Sequence, residues 1–254
     1  MKRMLKRILV VLLVLILLAV AGFGMLYAGR LRTVNSIEQI TAYDDYNLYR
    51  MDVTYDYSID DVINYGITDN QSMIDAILKE TLPLLPVHMK APNFGCSAFG
   101  TVSDRNILMG RNILMGRNYD FKRDTSAMLV YCTPKDGYKS VALAALDNIS
   151  ANQPDISMAK KLACLTAPFI CLDGMNEKGV SIAVLTLDSE PVNQSTGKQK
   201  IFTTLAIRLV LDRAATTQEA VELLVNAVKT NAALIESEDE QFLYDGHGEY
   251  AKLD

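Results

Sequence analysis

Ala127-Met128-Leu129-Val130-Tyr131, then Pro134-Lys135-Asp136-Gly137, then Tyr138 through Leu146 is the stretch that decides the fold. Two short runs of apolar and β-favouring residues flank a proline and glycine turn, the pattern of an antiparallel hairpin. Upstream, Cys96 to Val102 and Asn112 to Tyr119 have the same strand-like texture. Downstream, a short helix is expected over Ser157 to Leu165 and a strand over Phe169 to Leu172. Asp173-Gly174-Met175-Asn176-Glu177-Lys178-Gly179 then predicts a turn, and Val180 to Leu187 a buried strand. Helical patterns follow over Ile201 to Ala214 and Thr217 to Val228. In the second, Ala220, Leu223, Leu224, Ala227 and Val228 form one apolar stripe, Thr216 or Thr217 can cap the start, and Glu219 lies in the first turn. Strands with helices packed on them imply an α+β layered fold around an antiparallel sheet.

Four zones follow from this centre. Residues 1–32 hold Lys2, Arg3, Lys6 and Arg7 before an uncharged run from Ile8 to Gly29. At 1.5 Å per residue that run is about 33 Å long, enough to cross a hydrocarbon core of roughly 30 Å. It is expected to be a transmembrane anchor, with the basic flank inside and the bulk of the chain extracytoplasmic. Its rivals are a signal peptide cut near Ala19-Val20-Ala21, giving a secreted protein, and a buried core helix. Residues 33–95 form a prosegment or linker zone. Tyr and Asp crowd there from Tyr43 to Tyr65, an amphipathic helix is expected over about Ser72 to Leu82, and Pro83, Pro86 and Pro92 break the pattern. A stalk, a packing module and a prosegment are all open for this zone. Residues 96–230 form the main domain, and 231–254 an acidic tail with little apolar periodicity.

Composition removes several function classes. The 254 residues carry 25 basic and 30 acidic side chains, so there is no electrostatic footprint for nucleic acid. His88 and His247 are the two histidines, too few for a metal cluster together with a histidine base. Cys96, Cys132, Cys164 and Cys171 contain no CxxC pair, and one or two of them are expected as buried small hydrophobes. No glycine-rich nucleotide fingerprint is present, so no cofactor is expected. Asp173 and Asn176 resemble a calcium pair only superficially, because such a turn needs no ion.

One internal duplication stands out. Arg105-Asn106-Ile107-Leu108-Met109-Gly110 recurs as Arg111 to Gly116, and Arg117-Asn118 begins a third copy. Six residues is an even number, so the insertion keeps the same side chains facing the core if it lengthens a hairpin.

The candidate chemistry starts at Cys96, which follows Gly95 and opens a strand of small residues. Taken alone it is an ordinary buried thiol. Downstream, Arg117 and Asp120 are three apart, placed so that one would favour a thiolate and the other hold an amine. With histidine scarce, a Cys–His dyad is unattractive. Cutting the chain between Gly95 and Cys96 would free an α-amine with a reference pKa of about 7.7 to 8.0, beside a thiol of about 8.5. One residue would then carry both nucleophile and base. A Cys96 that reacts without the cut, as a redox or acylation site, is the remaining possibility.

Gly95-Cys96-Ser97-Ala98-Phe99, Gly116-Arg117-Asn118-Tyr119-Asp120-Phe121, and Ala167-Pro168-Phe169-Ile170 with Asp173 to Gly179 occur in the order seen in one known group. Over Cys96 to Val228 the chain resembles the linear amide C-N hydrolases of the choloylglycine hydrolase family. These are N-terminal nucleophile hydrolases that include bile salt hydrolase, penicillin V acylase and acid ceramidase. The resemblance implies an αββα sandwich, self-cleavage before the cysteine, and hydrolysis of a small-molecule acyl amide. It makes Cys96 the nucleophile and its freed amine the base, with Arg117 supporting the thiolate and Asp120 orienting the amine. The next polar position of the site, an Asn of the oxyanion hole in bile salt hydrolases, falls on Thr186. Family members usually continue for a second large part that supplies another oxyanion Asn and a further Arg. The sandwich implied here is therefore partial, following an N-terminal transmembrane helix. The alternative function is a membrane-anchored, catalytically incomplete relative that acts as a binding or structural module. Lipid-like acyl amides are topologically convenient substrates for an anchored protein, and no particular acyl amide or oligomeric state follows from the residues.

Overall fold

The computed structural model describes residues 2–42, 47–89, 126–153, 157–184, 201–230, 241–244 and 250–253. The chain opens with helix α1 (Lys2–Asn35), strands β1 (Glu38–Ala42) and β2 (Asn47–Val53), and helices α2 (Ile59–Ile63) and α3 (Asn70–Thr81). After them come β3 (Ala127–Cys132), β4 (Ser140–Ala145), α4 (Met158–Ala163), β5 (Cys171–Asn176) and β6 (Ser181–Ala183). The last elements are α5 (Thr203–Arg213), α6 (Thr217–Thr230), β7 (Gln241–Tyr244) and β8 (Tyr250–Leu253). Short 3-10 helices fill Leu146–Ile149 and Cys164–Phe169.

The eight described strands form one sheet in chain order. The central hairpin is the one expected: β3 and β4 pair antiparallel from Ala127 with Ala145 to Cys132 with Ser140. Alternation sets its faces, since Met128, Val130 and Cys132 are buried while the residues between them are half-exposed. α3 forms where its apolar spacing predicts, and Asp69 caps it in a reciprocal box with Ser72. α6 is capped by Thr216 rather than Thr217: Thr216 Oγ1 accepts from Glu219 N at 3.1 Å, and the Glu219 carboxylate accepts from Ala215 N at 2.7 Å.

Four expectations need correction. The sheet is mixed, because β2 and β3 run parallel from Leu48 with Ala127 to Val53 with Cys132. A parallel neighbour needs a long crossover, and the stretch holding α2 and α3 supplies it. Second, of the readings open for residues 33–95, the described part fits the packing module and not a free stalk. It places β1 and β2 in the same sheet, and Met73, Ile74 and Ile77 of α3 lie in the common core. Third, the tail at 231–254 extends the sheet, with β7 pairing to β6 and β8 to β7. The short runs Gln241–Tyr244 and Tyr250–Leu253 are too brief to signal themselves by periodicity, and it is the open edge of β6 that gives β7 a partner.

The fourth correction concerns Asp173, Gly174 and Met175, which belong to strand β5; the turn is confined to Glu177–Gly179, with Gly179 at φ +87°. Gly174 is in the strand because α5 crosses it. A Cβ there would stand 2.6 Å from Leu211 Cδ1 and 2.9 Å from both Ala142 Cβ and the Val141 carbonyl. Gly174→Ala is expected to destabilise the fold by about 1–3 kcal/mol through overpacking. A urea midpoint unchanged from the parent would show that α5 can lift off the sheet.

Within α1, Lys6–Asn35 is long and apolar enough to cross a membrane, and its most apolar stretch is not buried. The helix runs beyond that apolar run into the domain, where Tyr27, Arg30, Thr33 and Val34 are buried.

Candidate functional site

Cys96, Arg117, Asp120 and Thr186 lie outside the described residues, as does the duplicated hexapeptide. What the structure does place is the frame on either side of them. The chain enters β3 at Ser126 and leaves β6 at Val184. Ala127 pairs with Ala145, while Leu143 pairs with Asp173 and Asp173 with Ala183. The start of β3 and the finish of β6 therefore share one end of the sheet. Both exits are pinned. Ser126 N donates to Asn152 Oδ1 at 3.3 Å, its carbonyl accepts from Leu146 N at 2.9 Å, and its hydroxyl accepts from Asn47 N at 3.4 Å. Val184 N donates to the Leu172 carbonyl at 2.9 Å. The side chain of Asp173, beside this end, is also buried.

The opposite end of the sheet holds a buried polar cluster that the sequence reading missed. Arg208, on α5, is fully buried, and its Nη2 lies 2.6 Å from Asp212 Oδ1 one turn on. The same nitrogen donates to Ser140 Oγ at 2.6 Å, and Nη1 to Cys132 Sγ at 3.3 Å. Tyr57 OH donates to Asp212 Oδ1 at 3.1 Å, and the Tyr57 ring packs edge-on against Phe169 at 5.3 Å. Burial pushes the Asp212 carboxyl up from its ordinary value, and the Arg208 guanidinium pulls it back. This cluster binds one helix to the last residue of β3, the first of β4 and the segment after β2. Its sequence signal was an Arg and an Asp at i and i+4 inside an otherwise apolar helix.

Asn176 at the same end is occupied by structural bonds. Its Nδ2 donates to Ala214 O at 2.7 Å and Leu211 O at 3.2 Å, and its Oδ1 accepts from Lys178 N and Val180 N. Its side chain holds the turn and the end of α5 without an ion. Among the described residues, no group of three or more His, Cys, Asp or Glu side chains is placed to hold a metal.

Cys132, Cys164 and Cys171 are free and buried. Desolvation raises all three thiols: Cys132 against the opposing pull of Arg208, Cys164 up to about 12, and Cys171 well above the ordinary thiol value. They fill core space as protonated thiols. Iodoacetamide at pH 7.5 is expected to leave these three unlabelled until denaturant is added, read by peptide mass; rapid labelling of any of them in the folded protein would contradict their burial.

Comparison with known proteins joins this frame to a family. The family described as linear amide C-N hydrolases, choloylglycine hydrolase family, matches residues 107–244, more than half of the chain. That range runs from before β3 to the end of β7 and includes positions 117, 120 and 186, while Cys96 precedes it. No curated protein matches the chain. A solved structure of penicillin V acylase from Agrobacterium tumefaciens is similar at 23% identity and a TM-score of 0.29. The likeness covers 45% of this chain and 29% of that one, so the chain spans less than a third of that protein. The chain belongs to the linear amide C-N hydrolases of the choloylglycine hydrolase family.

Proposed function

We propose that this protein hydrolyses the carbon–nitrogen bond of a linear acyl amide with an N-terminal Cys96 released by cleavage after Gly95. The observation that carries this reading is the family match over residues 107–244, which takes in Arg117, Asp120 and Thr186. The buried thiols support it: Cys132, Cys164 and Cys171 lie in the core, out of reach of a substrate, which leaves Cys96 as the remaining cysteine for the attack. The frame supports it too, since the chain segments bearing positions 120 and 186 join the sheet at the same end, at Ser126 and Val184.

In the proposed reaction the freed amine of Cys96 takes the proton of its own thiol, and the thiolate attacks the amide carbonyl. Arg117 favours the thiolate and Asp120 holds the amine in place. Thr186 donates to the developing oxyanion through its backbone N–H or hydroxyl. The amine then protonates the departing nitrogen, leaving a thioester on Cys96. Water, activated by the same amine, releases the acid and restores the thiol.

The apolar run of α1 acts in this reading as an uncleaved anchor that holds the catalytic domain at a membrane surface. Its large side chains from Ile8 to Leu26 are exposed, as a lipid-facing helix requires. The test of the enzyme reading is N-terminal and intact-mass analysis alongside release of amine from an N-acyl amide. A new chain starting at Cys96, together with amine release, is expected. Amide hydrolysis by a preparation in which Gly95 and Cys96 remain joined would overturn the mechanism, because Cys96 would then have no base.

A further inference from the structure

The last turns of α1 are part of the domain and leave no tether between it and the apolar run. Ser36 Oγ accepts from Asp52 N at 2.9 Å, Thr33 Oγ1 from Thr54 N at 2.8 Å, and the Gly29 carbonyl from the Thr54 hydroxyl at 3.0 Å. A Cβ at Gly29 would meet Tyr55 Cα at 3.0 Å, so helix and strand extension touch backbone to backbone. Arg30 locks the contact. Its Nε donates to Thr81 O at 2.6 Å and its Nη2 to Glu80 O at 2.8 Å, the carbonyl end of α3, where a cation also meets the negative end of the helix dipole. Arg30 is thus a structural latch between α1 and α3, in addition to being a charge flanking the apolar run.

These contacts fix a direction. Positions 36, 33 and 29 of the helix meet positions 52, 54 and 55, so α1 runs opposite to β2. Its apolar part consequently leaves the molecule beyond the end where β2 finishes. From Ile8 to Leu26 it spans about 28 Å, close to the roughly 30 Å of a hydrocarbon core. The next residue, Tyr27, is already docked. Its hydroxyl donates to the Pro83 carbonyl, and its ring stacks on Phe23 at 4.5 Å, an aromatic pair suited to the lipid–water boundary. Directly after Pro83, Leu84 is 80% exposed, the most exposed large hydrophobic side chain among the described residues. It is held outward at φ +68°, a left-handed conformation that a leucine adopts only at a cost, in a turn closed by Leu85 N to Leu82 O at 3.2 Å.

We propose that the domain stands directly on the bilayer that α1 crosses, with Leu84 set into the lipid interface beside Tyr27. The sheet end carrying Ser126 and Val184 then faces away from the lipid, separated from the membrane-proximal end by roughly 17 Å of strand.

The chain contains no tryptophan, so a single introduced Trp reports on its own surroundings. The full chain is placed in phosphatidylcholine vesicles with or without brominated acyl chains, as three variants: Met25→Trp, Leu84→Trp and Ile40→Trp. Met25 lies in the apolar run, while Ile40 is half-exposed on β1 between the Tyr49 and Leu48 pairings, at the opposite end of the sheet from Leu84. Bromolipid is expected to remove most of the emission at positions 25 and 84 and none at position 40. An unquenched Trp at 84 would mean that the domain stands off the lipid. Quenching at 40 would mean that the sheet is inverted, and an unquenched Trp at 25 that α1 does not enter the bilayer; each overturns the proposal. Fluorescence is independent of amide hydrolysis, so an inactive protein with the expected quenching would fail the enzyme reading alone.

Discussion

Exchanging Asp212 for leucine lowers the unfolding free energy by about 3–5 kcal/mol, because it leaves the Arg208 charge buried without its counter-ion. Among the described residues, the other partners of Arg208 are the Ser140 hydroxyl, the Cys132 sulfur and the face of the Tyr57 ring, none of them an anion, and its Nε has no hydrogen-bond partner there. Tyr57 loses its acceptor in the same substitution. The double variant Arg208→Met with Asp212→Leu is expected to recover most of that loss, since replacing a whole buried pair by apolar groups of similar volume is often neutral or better. Urea denaturation of the parent, the single and the double variants measures both steps. A double variant as unstable as the single one would mean that the cluster holds the fold through the Ser140 and Tyr57 bonds and not through its charges.

Under the proposed mechanism, Cys96→Ala is expected to lower amide turnover by roughly 10⁴-fold or more, since it would remove the attacking sulfur and with it the cleavage proposed to free the base. The variant should stay joined at Gly95 and unfold at the same denaturant concentration as the unprocessed parent. Arg117→Met and Asp120→Asn are expected to be milder under the same mechanism, because each would remove only support for a group that is still present. Turnover by Cys96→Ala within tenfold of the parent would place the nucleophile elsewhere. The three buried thiols would be poor replacements, since each is enclosed in the core, where desolvation also disfavours the thiolate.

The central hairpin was legible because its signals are local. Alternation in Ala127–Cys132 and the Pro134 to Gly137 turn lie within a few residues of one another. The same holds for α3, α5 and α6, whose apolar spacing and caps are written within each helix. Asp173 to Met175 was misread as turn because Asp, Gly and Asn are turn formers by propensity. Here the packing of Leu211 on Gly174 prevailed over that preference. The Arg208 and Asp212 pair was visible as an anomaly in an apolar helix, yet its partners come from residues 57, 132 and 140, which no spacing rule connects to it.

By itself the amino-acid sequence determined the central hairpin, α3, α5, α6, the apolar N-terminal helix and the order of family motifs, because periodicity, caps and turn residues act over a turn or two of chain. Tertiary structure alone decided the parallel docking of β2 on β3, the recruitment of β7 and β8 to the edge of β6, and the direction in which α1 leaves the domain. Those depend on free sheet edges and on backbone contacts such as Gly29 against Tyr55, made between segments far apart in the chain, where local propensity carries no information about the partner.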